Sequence, residues 1–205
     1  MVSSGKIREV AVEGPEGVGK STLVREYSRR HPEVRTVFCV PEVYLVDLCL
    51  LTDVSFRSSP AGQMLINISN IAADYRKQES ESLAGPILTD RSIWSAVAGC
   101  YDKAPGSLRA LLDAVEALRA DHVVLPDRVV VLKGSYETCQ ARIGSRVLNA
   151  EADADLRRAF KRRNELYGAL KSCGYDVQFI STDGKSPEEV LSEFEALSIR
   201  ESTVA

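Results

Sequence analysis

The sequence has little of what builds metal cages and crosslinks. Two histidines, His31 and His122, and five cysteines in odd count with no Cys-x-x-Cys spacing are all it offers. The histidines lie singly in what read as connecting segments and the cysteines lack paired spacing, which speaks against a zinc site, a Ser-His-Asp triad and a disulfide framework. Cys39, Cys49, Cys100, Cys139 and Cys173 read as scattered small hydrophobes of a reducing compartment. No apolar run approaches the roughly 20 residues that cross a bilayer, and the start, Met1–Ile7, lacks the apolar core of a signal peptide. A large excess of one charge is also missing. Lys and Arg number 26 against 29 Asp and Glu, for a net charge of −3. That balance argues against a coat on nucleic-acid polymer, which needs surplus Lys and Arg to displace counterions. No linker rich in Gly, Pro or Ser divides the chain, and no internal repeat or low-complexity tract is visible. The expectation is one soluble, cytoplasmic domain with neither membrane nor polymer partner.

What is present is alternation. Short β-branched runs at Ile7–Glu13, Thr36–Val40, Pro86–Asp90, Asp127–Lys133 and Asp176–Ser181 are nearly continuous apolar stretches, as strands covered on both faces should be. Helical patterns separate them: Lys20–Arg30, Pro60–Ser82, Ser107–Ala120, Ser135–Ile143, Asp153–Lys171 and Pro187–Leu197. Ser186 suits the cap of the last, with Pro187 in its first turn and Glu188–Glu189 near its positive end. Strands alternating with helices imply βαβ units, a parallel sheet and right-handed crossovers.

The stretch Glu13-Gly14-Pro15-Glu16-Gly17-Val18-Gly19-Lys20-Ser21-Thr22 carries the chemistry. Gly14 to Ser21 fits G-x-x-x-x-G-K-[ST], the Walker A pattern, between a hydrophobic strand and an amphipathic helix. Glycines let successive N–H groups turn inward as an anion nest, and the helix start adds partial positive charge. Lys20 is expected on the β- and γ-phosphates and the Ser21 hydroxyl on Mg²⁺. A guanine-reading Asn-Lys-x-Asp, an Asp-x-x-Gly switch and a Leu-Ser-Gly-Gly-Gln signature are all missing, which speaks against a GTPase switch and an ABC-type ATPase. A second strand run, Pro86–Asp90, ends in Asp90-Arg91-Ser92. Asp90 is placed to bind Mg²⁺, and Arg91 can make a two-pronged phosphate contact; a strand-end ion pair is the plain alternative.

In this arrangement the chain resembles the thymidylate kinase and deoxynucleoside kinase branch of P-loop kinases, from Val10 to about Leu191. The likeness rests on the Gly14–Ser21 loop, on Asp90-Arg91-Ser92, on Pro126–Leu132 followed by Cys139–Ile143, and on Phe160–Arg163 with Tyr167 after it. It implies an α/β, three-layer P-loop NTPase fold. The five-stranded parallel sheet would have order 2-3-1-4-5, helices on both faces and a basic lid at about 142–158. It implies ATP as donor, Mg²⁺, a small acceptor and a homodimer. The loop residues Gly14, Glu16, Gly17, Val18, Gly19, Lys20, Ser21 and Thr22, with Arg142 and Asp183, would hold ATP. Asp183 also reads as a plain turn residue. Gly17-Val18 leaves the loop without an arginine, and the resemblance implies that the lid then supplies it, through Arg142 and Arg146, as transition-state cations beside Lys20 and Arg91. A solvated helix with acids first and bases later explains much of the same charge.

The acceptor side leaves two branches open. A nucleoside monophosphate offers an anionic oxygen, whereas a nucleoside hydroxyl is helped by a general base. Glu42, after the second strand, resembles the deoxynucleoside kinase carboxylate, though a solvated loop residue would look the same. Glu16 resembles the acceptor-facing acid of thymidylate kinases. Tyr75 stands where a thymidylate kinase arginine is expected, with Arg76 next to it, and Gly99-Cys100 replace a Tyr-Gln pair. Phe56, Arg57 and Trp94 are further candidates for the acceptor pocket, against a surface loop for the first two and core packing for Trp94. The expected reaction is phosphoryl transfer to a (deoxy)nucleoside monophosphate with altered base preference. The alternatives are a hydroxyl kinase using Glu42, and an ATP-binding module or regulatory ATPase.

Overall fold

The computed structural model describes residues 9–38, 86–92, 94–95, 97–98, 109, 112, 125–144 and 150–198. In chain order the elements that frame the site are β1 (Glu9–Glu13), α1 (Lys20–Arg30), β2 (Arg35–Phe38), β3 (Ile87–Asp90), β4 (Arg128–Lys133), α2 (Tyr136–Ile143), α3 (Ala150–Ser172), β5 (Val177–Ser181) and α4 (Pro187–Ser198). The strands form one parallel sheet in the order β2-β3-β1-β4-β5, as expected from the resemblance. Val12 pairs with both Asp90 and Val130, so β3 ends one residue short of β1 at the carboxyl edge and β4 runs two residues past it. That edge is where parallel sheets bind ligands.

Both faces of the sheet are covered. Val10, Val12, Leu88, Val130, Leu132 and Ile180 pack with Leu23, Val24 and Tyr27 of α1 and Val190, Leu191 and Phe194 of α4 in one core. The Tyr27 ring meets Phe194 edge-on at 5.0 Å. Each such fully buried side chain stabilises the fold by roughly 1.5–3 kcal/mol. Strand alternation sends Ala11, Glu13, Val129 and Val131 to the opposite face, where Tyr167 of α3 reaches Glu13. The continuous apolar reading of the strands follows from this two-sided burial.

The helix ends obey local chemistry. Ser135 caps α2, its Oγ accepting from Thr138 N–H at 3.2 Å. Ser186 and Glu189 form a reciprocal capping box at α4: Glu189 N–H donates to Ser186 Oγ at 3.3 Å, and Ser186 N–H to Glu189 Oε2 at 2.8 Å. The segment expected as a lid at 142–158 is helical at both of its described ends. α2 runs to Ile143 and α3 begins at Ala150, with 145–149 outside the described residues. Asp153 binds these ends together, taking hydrogen bonds from Tyr136 Oη, Gln140 Nε2 and Arg157 Nε. The expected Pro60–Ser82 helix lies outside the described residues; Arg109 and Leu112 of the Ser107–Ala120 stretch are helical. Among the described residues no helix is long and apolar enough to cross a membrane.

Candidate active site

The loop from Gly14 to Gly19 leaves β1 between its neighbours β3 and β4 and delivers the chain into α1. Its glycines are dictated by space and handedness. Gly14 has φ +136°, and a Cβ there would sit 2.5 Å from the Leu132 carbonyl oxygen. Gly17 has φ +77°, and a Cβ would collide with the Cys139 carbonyl oxygen. A side chain at Gly14 would push the loop off β4, and one at Gly17 would push it off α2.

Lys20 opens α1 and is buried. Its Nζ donates to the Gly14 carbonyl at 2.9 Å and the Pro15 carbonyl at 2.7 Å, so it lies folded along the loop. Burial pushes its pKa down to about 8, and the positive charges of Arg91 and Arg163 add to this; Glu13 and Asp90 pull the other way. Three cations therefore bear on one loop of inward-turned backbone. This is a place where an anion is stabilised and a bare ammonium is not.

Beside them, Ser21 Oγ donates to Asp90 Oδ2 at 2.5 Å. The other carboxylate oxygen, Asp90 Oδ1, is buried and has no hydrogen-bond partner among the described residues. A hydroxyl and a carboxylate oxygen with spare lone pairs at the end of a strand make the donor set of a hard cation that keeps several waters and takes the rest of its oxygens from phosphate. Mg²⁺ fits these two residues. Arg91, next in the chain, holds φ 76°, the one positive φ outside glycine among the described residues.

On the side of the loop facing α4 lies a cleft of about 190 Å³. Val18, Thr22 and Leu23 form one wall, Leu132 the floor, and Thr182, Lys185 and Val190 the other wall. Arg142 closes the mouth, with Nη1 donating to the Val18 carbonyl at 3.3 Å. Glu16, exposed, borders a second and smaller hollow with Pro15, Gln140, Phe160 and Arg163.

Among the residues singled out from sequence, Gly14, Glu16, Gly17, Val18, Gly19, Lys20, Ser21, Thr22, Asp90, Arg91 and Arg142 gather at this edge of the sheet. Two do not belong with them. Trp94 is 0% exposed and packs against Tyr175, ring centroids 5.1 Å apart, in the core. Asp183 is exposed and turns its carboxylate to the β4–α2 turn, accepting from Ser135 N–H at 2.7 Å. The cleft wall at that loop is made by Thr182 and Lys185 instead. Glu42, Phe56, Arg57, Tyr75, Arg76 and Arg146 lie outside the described residues.

No family model and no curated protein matches the chain. Solved structures do. Thymidylate kinase from Candida albicans shares 19% identity over 95% of this chain and 92% of its own, with a TM-score of 0.66. Thymidylate kinase from Ehrlichia chaffeensis shares 16% over 92% and 97%, with a TM-score of 0.62. Deoxyadenosine kinase from M. mycoides, solved with dCMP and a flexible dCDP, shares 19% over 92% and 97%, with a TM-score of 0.58. The fold is that of the thymidylate and deoxynucleoside kinases.

Within this P-loop kinase fold the structure adds residues to which sequence reasoning assigned no role. Glu13, 0% exposed, accepts from Ser92 N–H and Ser92 Oγ, each at 2.7 Å, from Ser95 Oγ at 2.6 Å and from Tyr167 Oη at 3.0 Å. Burial and the Glu13 charge hold the Tyr167 phenol well above its ordinary range, so it stays a donor. Arg163 lies one turn before Tyr167 on α3. A charged residue closing an apolar strand, and an Arg four residues ahead of a buried Tyr, were the available signals.

Proposed function

We propose that the protein transfers the γ-phosphoryl group of ATP to a (deoxy)nucleoside monophosphate, with Mg²⁺. The observation that carries this reading is the Gly14–Gly19 loop with Lys20 buried along it, next to the Ser21–Asp90 pair, whose Asp90 Oδ1 has no hydrogen-bond partner among the described residues. Phosphoryl transfer asks little covalent work of a protein; positioning and charge neutralisation are nearly all of it. The loop N–H groups and Lys20 cradle the donor phosphates. Held by Ser21 and Asp90, Mg²⁺ supplies positive charge to the phosphate oxygens. Arg91 orients the acceptor phosphate, and Arg142, with Val18, Thr182 and Lys185, encloses the donor base. Arg163 supplies charge at the transferred group, alongside the lid arginine Arg146. The identities of the solved relatives support a nucleotide acceptor. The resemblance is likewise the support for a homodimer, for a cytoplasmic setting and for Glu16, Tyr75 and Arg76 on the acceptor side.

The test is ADP release with Mg·ATP across dTMP, dUMP, dCMP, UMP and CMP, each against its nucleoside. Turnover on a monophosphate is the expected result, and Lys20→Met should cut it by about 10²–10³-fold with the fold retained. Turnover on nucleosides alone would overturn the monophosphate reading and make Glu42 the general base. Silence across the panel with ATP still bound would mean a nucleotide-binding module.

A further inference from the structure

We propose that Glu13 is a positioning residue for Arg91: its buried carboxylate holds Arg91 in a left-handed backbone conformation and ties it to the helix that carries Arg163. The inference rests on the phosphoryl-transfer reading only for what Arg91 does once held.

A non-glycine residue at positive φ costs about 1–3 kcal/mol and persists only where its surroundings over-determine it. Here the two peptide planes that define the conformation of Arg91 are both pinned to β1. Arg91 N–H donates to the Val12 carbonyl at 3.0 Å, which fixes the plane before it. Ser92 N–H donates to Glu13 Oε1 at 2.7 Å, which fixes the plane after it. Ser92 Oγ donates to the same oxygen at 2.7 Å and itself accepts from Trp94 N–H at 3.2 Å, so the helical turn that follows is gripped as well. The backbone acceptor of Val12 would exist in any parallel strand. The second pin exists only because residue 13 is a long acceptor.

The other oxygen of Glu13 reaches across the sheet face. Oε2 accepts from Ser95 Oγ at 2.6 Å and from Tyr167 Oη at 3.0 Å. Tyr167 and Arg163 are four residues apart on α3 and share one helix face. A carboxylate with about four acceptor sites thus receives four donors. They come from the strand end that carries Asp90 and Arg91 and from the helix that carries Arg163. Glu13 touches neither phosphate site; it fixes where two cations stand.

The test is a double-mutant cycle of Glu13→Gln against Arg91→Gly. The amide keeps the shape and loses the charge that makes these hydrogen bonds short and strong. Glycine removes both the guanidinium and the strain. In urea unfolding, Glu13→Gln should shift the midpoint less than half as far in the Arg91→Gly background as in the wild type. In ADP release with Mg·ATP and dTMP, Glu13→Gln should lower kcat by 10–100-fold with KM for ATP moved less than threefold. The double variant should lose no more activity than Arg91→Gly alone. Equal midpoint shifts in the two backgrounds, or kcat losses that multiply, would overturn the proposal. If the wild type releases no ADP with dTMP, whichever of dUMP, dCMP, UMP and CMP it turns over takes the place of dTMP; if it turns over none of the five, the acceptor reading fails by itself, and the urea cycle still decides the role of Glu13. Should Glu13→Gln not fold, Tyr167→Phe, which removes one donor to the same carboxylate, takes its place in both cycles with the same criteria.

Discussion

One strand carries the same side chain at both ends. Glu9 opens β1 and Glu13 closes it, and both are buried, at 5% and 0% exposure. At the closing end the carboxylate receives four donors, from Ser92, Ser95 and Tyr167. At the opening end burial pushes the pKa of Glu9 up to about 8, and the negative charge of Asp127 beside it adds to the push. The difference teaches that burial does not by itself decide what a carboxylate can do. The company it is buried with does. Donors converge on Glu13 at the carboxyl edge of the sheet; at the amino edge Asp127, which accepts from Glu9 N–H at 2.9 Å, brings a second negative charge close to Glu9.

The comparison can be broken at either end. Glu13→Leu should have the largest effect: it strands an N–H and three hydroxyls, at roughly 1–3 kcal/mol for each buried group left unpaired. A loss of at least about 4 kcal/mol in urea unfolding is expected; a change under about 1 kcal/mol would mean the four donors find other acceptors. Glu9→Gln should do the opposite. A carboxyl whose folded pKa is raised from 4.5 to about 8 contributes stability below pH 4.5 and loses it as pH rises through about 8. Removing the charge should therefore stabilise the protein at pH 8, by on the order of 3 kcal/mol, and leave it little changed at pH 4.5. A pH-independent effect of Glu9→Gln would show that the two ends of β1 are alike after all. Tyr167→Phe is the finest probe, costing about 1 kcal/mol in unfolding, since it removes one donor of four and leaves the packing in place.

Much of the frame was legible in the residues. Helix α1 was expected over Lys20–Arg30 and is found there, because the loop pattern marks its start and the turn at His31 its end. Strands β3, β4 and β5 each begin one residue later than expected, since apolar runs do not say where pairing starts. The start of α3 at Ala150, not Asp153, comes from Ala150, Ala152 and Ala154 within the acidic tract, strong helix formers read as part of a lid. Two candidates show what chain position leaves open. In Thr182-Asp183-Gly184 a sequence shows a polar turn but not which side chain faces the cleft; the turn gives that face to Thr182 and turns Asp183 toward Ser135. Trp94 was placed beside the site by its nearness to Arg91 in the chain, but a helical turn of two or three residues is enough to carry a side chain into the core. Glu13 stands at the end of a fully buried strand, where the apolar run before it hides what a closing acid can bind.

The cleft above Leu132 is walled by Val18, Thr22 and Leu23 on one side and by Lys185, Pro187 and Val190 on the other. Its two halves are thus made some 160 residues apart in the order of synthesis. A nascent chain that has released β1 and α1 carries the Gly14–Gly19 loop and one wall of the cleft. Only when α4 has left the ribosome and packed against Tyr27 does the second wall exist. A ligand held there stabilises the chain that has α4 in place and nothing shorter, so its binding free energy acts as a seal on translation carried past Val190.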